Sequence, residues 1–468
     1  MKSFNAQIGI IHFIGIGGIG MSGIAEVLLN LGFEVSGSDL SENQNVIRLR
    51  KLGAKIYIGH DKSQLNEIAM VVVSSAISSN NEELLEARLR RLPIVKRAEM
   101  LAELMRFKKT IAVGGSHGKT TTTSLMANIL EHAGYDPTVI NGGIINSYKS
   151  NAKLGSSDWM IVEADESDGS FLKLPSSNVI VTNIDLEHLD FYKDYNTLKE
   201  AFKTFINNIP FYGHAIICLD NPNIQNIISE IEDKRIVTYG ISPQSDFRAL
   251  DIRFEKNETI FNLEVSPRID APIKKVENLI SKIPGIHNVQ NSLAACAMAM
   301  ELGISVELIK MGLKKFDGVN RRFSDIGNYK GIKIIDDYGH HPAEIKASLS
   351  AAREISSNNV LAVIQPHRYS RLKILYEEFM TSFNDADYVY VMDIYSAGEG
   401  KIENVTKDNF IGSLISSGHN HVRPFSDVKS LKEFCDQKLN TGDIIIFLGA
   451  GDITNVARDF VNYSTIKC

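Results

Sequence analysis

Cysteine is scarce in this chain: four among 468 residues, at Cys218, Cys296, Cys435 and Cys468. They stand far apart and form no CxxC pair. That argues against a zinc site and a disulfide framework, and fits a reducing cytoplasm. Long apolar runs are missing as well. Nothing approaches the ~20 continuous apolar residues of a membrane span. Lys2 precedes a few apolar residues, but Gly15–Gly20 break that segment and no small-residue cleavage pattern follows, so a secretory leader is not expected. There is no basic excess. The 50 Lys and Arg are outnumbered by 56 Asp and Glu, for a net charge of −6, which argues against a general nucleic-acid binder. The chain shows neither a fixed-period repeat nor a low-complexity segment.

What is present, 44% hydrophobic and 23% charged residues, is ordinary for a soluble globular enzyme. The length suggests about three domains. Short apolar runs alternate with longer amphipathic segments. Examples are Ile8–Ile14, Met70–Val73, Thr110–Val113, Met160–Val162, Val179–Val181, Val360–Ile364, Tyr388–Met392 and Ile444–Leu448. Several precede a helix-like stretch, which predicts an α/β protein with largely parallel sheets. Alternation over Ile252–Val276 is typical of antiparallel strands, an excursion inside the middle domain. Strand-like runs resume near Ile332. Boundaries near Phe107 and Gly318 divide the chain into 1–107, 108–318 and 319–468.

The most informative stretch is Gly115–Thr123, GSHGKTTTT, just after the run Thr110–Val113. Glycines let backbone N–H groups converge on a phosphate, and the helix N-terminus behind them favours negative charge. Gly115, Ser116, His117, Gly118, Lys119, Thr120 and Thr121 then cradle ATP. Lys119 reaches the β/γ-phosphates and the Thr120 hydroxyl meets Mg²⁺. Val113 stands where the common spacing has glycine, so the loop is a shortened variant. A second glycine-rich turn, GIGGIG at Gly15–Gly20, follows Ile8–Ile14, with Asp39 nineteen positions after its last glycine. That pattern brings backbone close to a diphosphate, and both NAD and UDP satisfy it.

Carboxylates gather where a nucleotide-bound metal is held. Glu163, Asp165, Glu166 and Asp168 follow Met160–Val162; a solvated loop is the plainer reading. In Thr182–Tyr192, Asp185, Glu187, His188 and Asp190 offer ligands after another apolar run, although Mg²⁺ prefers oxygen to imidazole. Pro284–Ala295 reads as a loop entering a helix. Its His287, Asn288 and Asn291 suit an adenine edge, or Asn288 caps the helix. Asp336–Glu344 and Gln365–Arg371 bring His340, His341, Arg368 and Arg371 beside strand-like runs, suited to a carboxylate or to plain surface charge.

Taken in order, these motifs resemble the Mur ligases of bacterial peptidoglycan synthesis. The resemblance rests on GIGGIGMSGIAE ending at Glu26, GSHGKTTTT, EADESDGSF from Glu163, NIDLEHLD from Asn183 and PGIHNVQN. It continues through NRRF at Asn320–Phe323, DDYGHHPAE, QPHRYSR and SAGE at Ser396–Glu399, and covers nearly the whole chain. It implies a Rossmann-like UDP-binding domain, a central P-loop ATPase domain with a mostly parallel sheet, and a C-terminal Rossmann-like domain that receives the amino acid. The implied reaction phosphorylates the lactyl carboxylate of UDP-N-acetylmuramate with ATP and lets the amine of L-alanine attack the acyl phosphate. By resemblance Thr120 and Glu163 bind the ATP magnesium, and His188 binds a second ion; Mn²⁺ is expected to substitute. His287, Asn288 and Asn291 contact adenine, with Arg321 and Arg322 as further nucleotide contacts. Tyr338, His340, Arg368 and Arg371 form the alanine pocket. Gly17, Gly18, Asp39, His60 and Ser74 lie where the family binds UDP.

Ser116, Leu189 and Ala343 replace residues usual in the family, and none removes a charge. Lys199 and Lys203 lie in the region where sibling ligases carry a carbamylated lysine. The same resemblance implies a cytoplasmic enzyme, a monomer or weak homodimer, acting on small molecules with neither nucleic acid nor membrane as partner. The rival readings are a murein ligase that attaches a tripeptide, an NAD-dependent oxidoreductase built on Gly15–Gly20, and a non-catalytic nucleotide switch.

Overall fold

A computed structural model describes residues 9–74, 76–106, 108–187, 189–255 and 258–465. Ile8, the boundary residue Phe107, the candidate ligand His188 and Cys468 lie outside the described residues.

The predicted runs become strands because each is apolar on both faces, as a parallel sheet covered by helices requires. Three sheets result. The first has strands β1 (Ile10–Ile14), β2 (Val35–Asp39), β3 (Lys55–Ile58), β4 (Ile68–Val73) and β5 (Ile94–Lys96), all parallel, in the order β3-β2-β1-β4-β5.

The second sheet has ten strands. These are β6 (Lys109–Gly114), β7 (Thr138–Ile145), β8 (Ser150–Lys153), β9 (Trp159–Glu163), β10 (Asn178–Val181), β11 (His214–Cys218), β12 (Arg235–Gly240), β13 (Phe247–Glu255), β14 (Glu258–Val265) and β15 (Lys275–Ser281). Their order is β15-β14-β13-β12-β11-β10-β6-β9-β7-β8. From β13 through β11, β10, β6 and β9 to β7 the pairs are parallel, and β8 is antiparallel to β7.

The third sheet has β16 (Ser324–Tyr329), β17 (Ile332–Asp337), β18 (Val360–Ile364), β19 (Tyr388–Val391), β20 (Val422–Pro424) and β21 (Ile444–Leu448), ordered β16-β17-β21-β18-β19-β20. Here only the edge strand β16 is antiparallel. The sequence places the start of this sheet near Ile332, and the structure starts it earlier, at Ser324. SDIGNY carries little apolar patterning because an edge strand is covered on few sides.

The chain divides into two compact units: Met1–Leu250, Asn262–Leu279 and Gln290–Asp317, and Asp251–Phe261, Ile280–Val289 and Gly318–Cys468. The whole first sheet and most of the second therefore lie in one unit. Polar contacts join them. Buried Asn151, on β8, donates from Nδ2 to the carbonyl of Ile19 at 2.5 Å and accepts from Arg48 Nη2 at 2.9 Å. Ser150 donates to Glu26, which also pairs with Arg48. Lys173 pairs with Glu99, and Arg97 with Asp165.

In the second unit, alternate residues of the strands feed two cores. Val360, Ala362 and Ile364 face one, with Phe379, Phe383 and Phe410; Leu361 and Val363 face the other, with Phe447 and Phe460. Among the described residues no helix is long and apolar enough to cross a membrane. Cys218, Cys296 and Cys435 are buried and free.

Candidate active site

In a parallel sheet the carboxyl ends of the strands meet loops that enter helices, and ligands bind there where strand order reverses. In the first sheet that place is the mouth between β1 and β4. Gly15 opens it with a φ of +83°, a conformation glycine adopts without strain. A side chain at position 17 would meet Asn43 at 2.6 Å and Asp39 at 2.8 Å. Asp39, ending β2, accepts from the Gly17 N–H at 2.8 Å. Gly18 caps the helix Ile19–Asn30. Ser74 follows β4, its N–H donating to the carbonyl of Ile14. His60 follows β3, with Nδ1 2.8 Å from Glu83 Oε2 and 2.9 Å from Ser38 Oγ. All five predicted UDP contacts thus lie at this one edge.

The phosphate loop follows β6 and enters the helix Lys119–His132. Gly115 has φ +135°, and a Cβ there would lie 2.1 Å from Thr182 Oγ1; Gly118 has φ +80°, and a Cβ there would lie 2.5 Å from Asn291 Oδ1. Both positions demand glycine. Thr182 and Asn183, beyond β10, hold the loop: the Ser116 N–H donates to the Asn183 carbonyl, the His117 N–H donates to Asn183 Oδ1 at 2.7 Å, and Thr182 donates to the His117 carbonyl. Asp185 lies 3.3 Å from His117. Asn291 reaches the loop by accepting from Thr122 at 3.2 Å.

Lys119 Nζ donates to the carbonyls of Gly115 and Ser116 and to Glu166, the last at 2.8 Å. Burial opposes the ammonium charge, but Glu166, Asp165 and Glu163 outweigh it and raise the lysine pKa. Burial pushes the Glu166 carboxyl up to about 7 against the pull of Lys119. Glu163 lies across from Val113 on the neighbouring strand and accepts from the Gly142 N–H at 2.7 Å. Thr120 is buried in the first turn of the helix.

The oxygen donors of Thr120 and Glu163, one on the phosphate-loop helix and one ending the adjacent strand, suit a hard divalent cation such as Mg²⁺. Lys199 and Lys203 both pair with Glu230, away from the buried face of their helix, which carries Leu198, Phe202 and Phe205.

Sequence patterning did not single out two pairings here. Glu166 is the buried counter-charge of Lys119, and Arg97 pairs with Asp165 at 3.3 Å while lying 2.5 Å from where a Cβ at Gly20 would stand. The four-acid cluster signalled the first, but not which acid takes which role.

In the second unit the site gathers at the carboxyl ends of β17, β18 and β21. The guanidinium carbons of Arg321 and Arg322 lie 5.0 and 5.1 Å from the centre of the Tyr338 ring. Arg321 Nη2 donates to the carbonyls of Gly449 and Gly451. His340 meets Tyr338 edge-on and approaches His367, which stacks on Tyr395 at 5.4 Å.

Arg371 Nη1 lies 3.2 Å from His367 Nδ1. Burial, reinforced by His340, Arg371 and Arg368, pushes His367 down to about 4, so the ring is neutral near pH 7. Arg368, capping the helix Tyr369–Ile374, takes φ +68° and ψ 133°, a region nearly reserved for glycine. It lies 4.0 Å from Glu399, which accepts from the N–H and hydroxyl of Ser370. Asp337 is buried and accepts from the N–H groups of Phe323 and Gly339 and from Ser348. His341 caps the helix Pro342–Ile355, accepting from the Ala343 N–H.

His287 belongs to the second unit, and burial pushes its pKa down to about 4 against the pull of Glu344. Neighbouring Asn288 donates to the Pro284 carbonyl at 2.7 Å, fixing the turn into the helix Ile286–Glu301.

Three family models match the chain: "Mur ligase family, catalytic domain" over residues 10–109, "Mur ligase middle domain" over 113–299, and "Mur ligase, glutamate ligase domain" over 321–451. A UDP-N-acetylmuramate–L-alanine ligase of Bradyrhizobium diazoefficiens is 51% identical over 96% of this chain and 97% of its own. The crystal structure of a UDP-N-acetylmuramate–alanine ligase from Thermotoga maritima is 30% identical. It superposes with a TM-score of 0.81 over 98% of this chain and 100% of that one. A murein peptide ligase from Psychrobacter arcticus, 22% identical with a TM-score of 0.68 over 97% of this chain and 98% of its own, shares the fold.

Proposed function

The chain belongs to the Mur ligase family, and from that premise we propose that it joins L-alanine to the lactyl carboxylate of UDP-N-acetylmuramate, driven by ATP. The observation that carries this reading is the 51% identity, over 96% of the chain, to a ligase of that specificity.

A carboxylate is a poor acyl donor because expelling oxide is prohibitive; transfer of the γ-phosphoryl group of ATP turns it into an acyl phosphate. Two anions must meet in that step, so a cation has to be in place. Lys119 takes that role, preformed by burial among acids and ready to exchange loop carbonyls for phosphate oxygens. Thr120 and Glu163 would hold the magnesium of ATP, and His188 would hold a second ion. Bound there, magnesium would neutralise phosphate charge, and Mn²⁺ would substitute for it.

Gly17, Gly18, Asp39, His60 and Ser74 grip the UDP portion. Gly115, Ser116, His117, Gly118 and Thr121 surround the ATP phosphates. His287, Asn288 and Asn291 read adenine, with Arg321 and Arg322 as further nucleotide contacts. Tyr338, His340, Arg368 and Arg371 receive L-alanine, a guanidinium pairing with its carboxylate. The free amine then attacks the acyl carbon and gives up a proton, and the tetrahedral intermediate expels phosphate. We place the reaction in the cytoplasm, carried out by a monomer or weak homodimer.

The test is phosphate release from ATP with Mg²⁺, UDP-N-acetylmuramate and L-alanine, and with each omitted in turn. Release is expected only with all present, and ¹⁸O placed in the lactyl carboxylate is expected to appear in the phosphate. Release with a tripeptide but not with alanine would overturn the assignment.

A further inference from the structure

The first sheet seals in a polar group that the chemistry above does not use. His12, on β1, and Glu83, on the helix Glu82–Leu89, are both 0% exposed. Glu83 Oε1 lies 3.1 Å from His12 Nε2, while Oε2 accepts from Ser38 Oγ at 2.5 Å and lies 2.8 Å from His60 Nδ1. His12 Nδ1 in turn lies 2.9 Å from Ser36 Oγ. Placing a carboxylate here loses hydration unless it is fully hydrogen-bonded, and an apolar side chain of similar size would pack without that cost. Burial opposes the Glu83 charge, but hydrogen bonds from His12, Ser38 and His60 outweigh it and keep its pKa below the ordinary glutamate value.

An ionised carboxylate only accepts hydrogen bonds. Both imidazoles therefore turn an N–H toward it, His12 through Nε2 and His60 through Nδ1. The Ser36–His12 arm occupies one carboxylate oxygen, so the group cannot swing away from the other. For His60 this fixes the ring's orientation and leaves Nε2 as the nitrogen available to a ligand. Among the described residues no hydrogen bond reaches Nε2. His60 follows β3 at the edge that also carries Gly17, Asp39 and Ser74.

We propose that Glu83, braced by His12, is a positioning residue for substrate binding: it sets the rotamer and tautomer of His60 so that Nε2 meets the uridine diphosphate portion of the substrate. The proposal rests on the reading of that edge as the UDP site.

The experiment is calorimetric titration of the full chain with UDP, and separately with a non-hydrolysable ATP analogue. Glu83→Gln keeps the side-chain volume but offers one acceptor oxygen to three donors. It is expected to weaken UDP about tenfold, the order of one lost charged hydrogen bond, and to leave the ATP analogue within about twofold. Ring ¹⁵N shifts of His60 are expected to lose the Nδ1–H signature. Should that variant fail to fold, Glu83→Asp, which stays ionised but withdraws from His60, carries the same expectation. A folded variant with unchanged UDP affinity would overturn the proposal. If UDP does not bind the unsubstituted protein, the reading of the site as a UDP site fails instead.

Discussion

Lys119 is a buried cation whose neighbours are all oxygen: two loop carbonyls and the carboxylate of Glu166. Lys119→Ala is expected to lower phosphate release by ~10³-fold or more while UDP titrates as before, because the edge proposed for UDP lies on a different sheet. Arg368 raises the opposite issue. Its φ of +68° strains a non-glycine backbone by about 1–3 kcal/mol, and the guanidinium is what the strain supports. Arg368→Gly is expected to raise the melting temperature and to raise the KM for L-alanine. A rise in stability without any change in alanine dependence would remove Arg368 from the pocket.

At the level of elements, the turn glycines and the strands were readable because they are local. Thr110–Val113, Val360–Ile364 and Ile444–Leu448 all became buried parallel strands, and the glycines at 115 and 118 have the positive φ that their motif demands. The polar partnerships were not readable. Glu166 pairs with Lys119 across 47 residues and Glu83 with His12 across 71, and no periodicity carries such distances. Nor did the sequence announce that the first sheet and most of the second belong to one unit, since contacts between them, such as Asn151 with the Ile19 carbonyl, involve single polar side chains. Asn151→Ala removes two hydrogen bonds, one to that carbonyl, which keeps its bond from Ser22, and one from Arg48, which keeps Glu26. It is expected to destabilise the first unit by about 1–3 kcal/mol, read from urea unfolding.

Across the whole molecule, two histidines of the second unit tie stability to pH. His287 and His367 are each pushed down to about 4 in the folded chain, chiefly by burial, whereas an unfolded histidine titrates near 6.5. Between those values the unfolded chain binds more protons. Their contribution is therefore complete above about pH 6.5 and is lost as pH falls toward 4. Urea midpoints measured from pH 7.5 to 4.5 are expected to fall, and to fall less steeply in the double variant His287→Gln, His367→Gln. Equal slopes would show that other groups govern the acid limb. The make-up of the first unit has a separate consequence for inhibitor chemistry. The first unit carries both the edge proposed for UDP and the phosphate loop, so a single molecule joining a uridine diphosphate mimic to a γ-phosphate mimic would engage two sites within one unit. Its affinity is expected to be highest where the linker length matches the span between the two sites, through effective concentration rather than through any new contact.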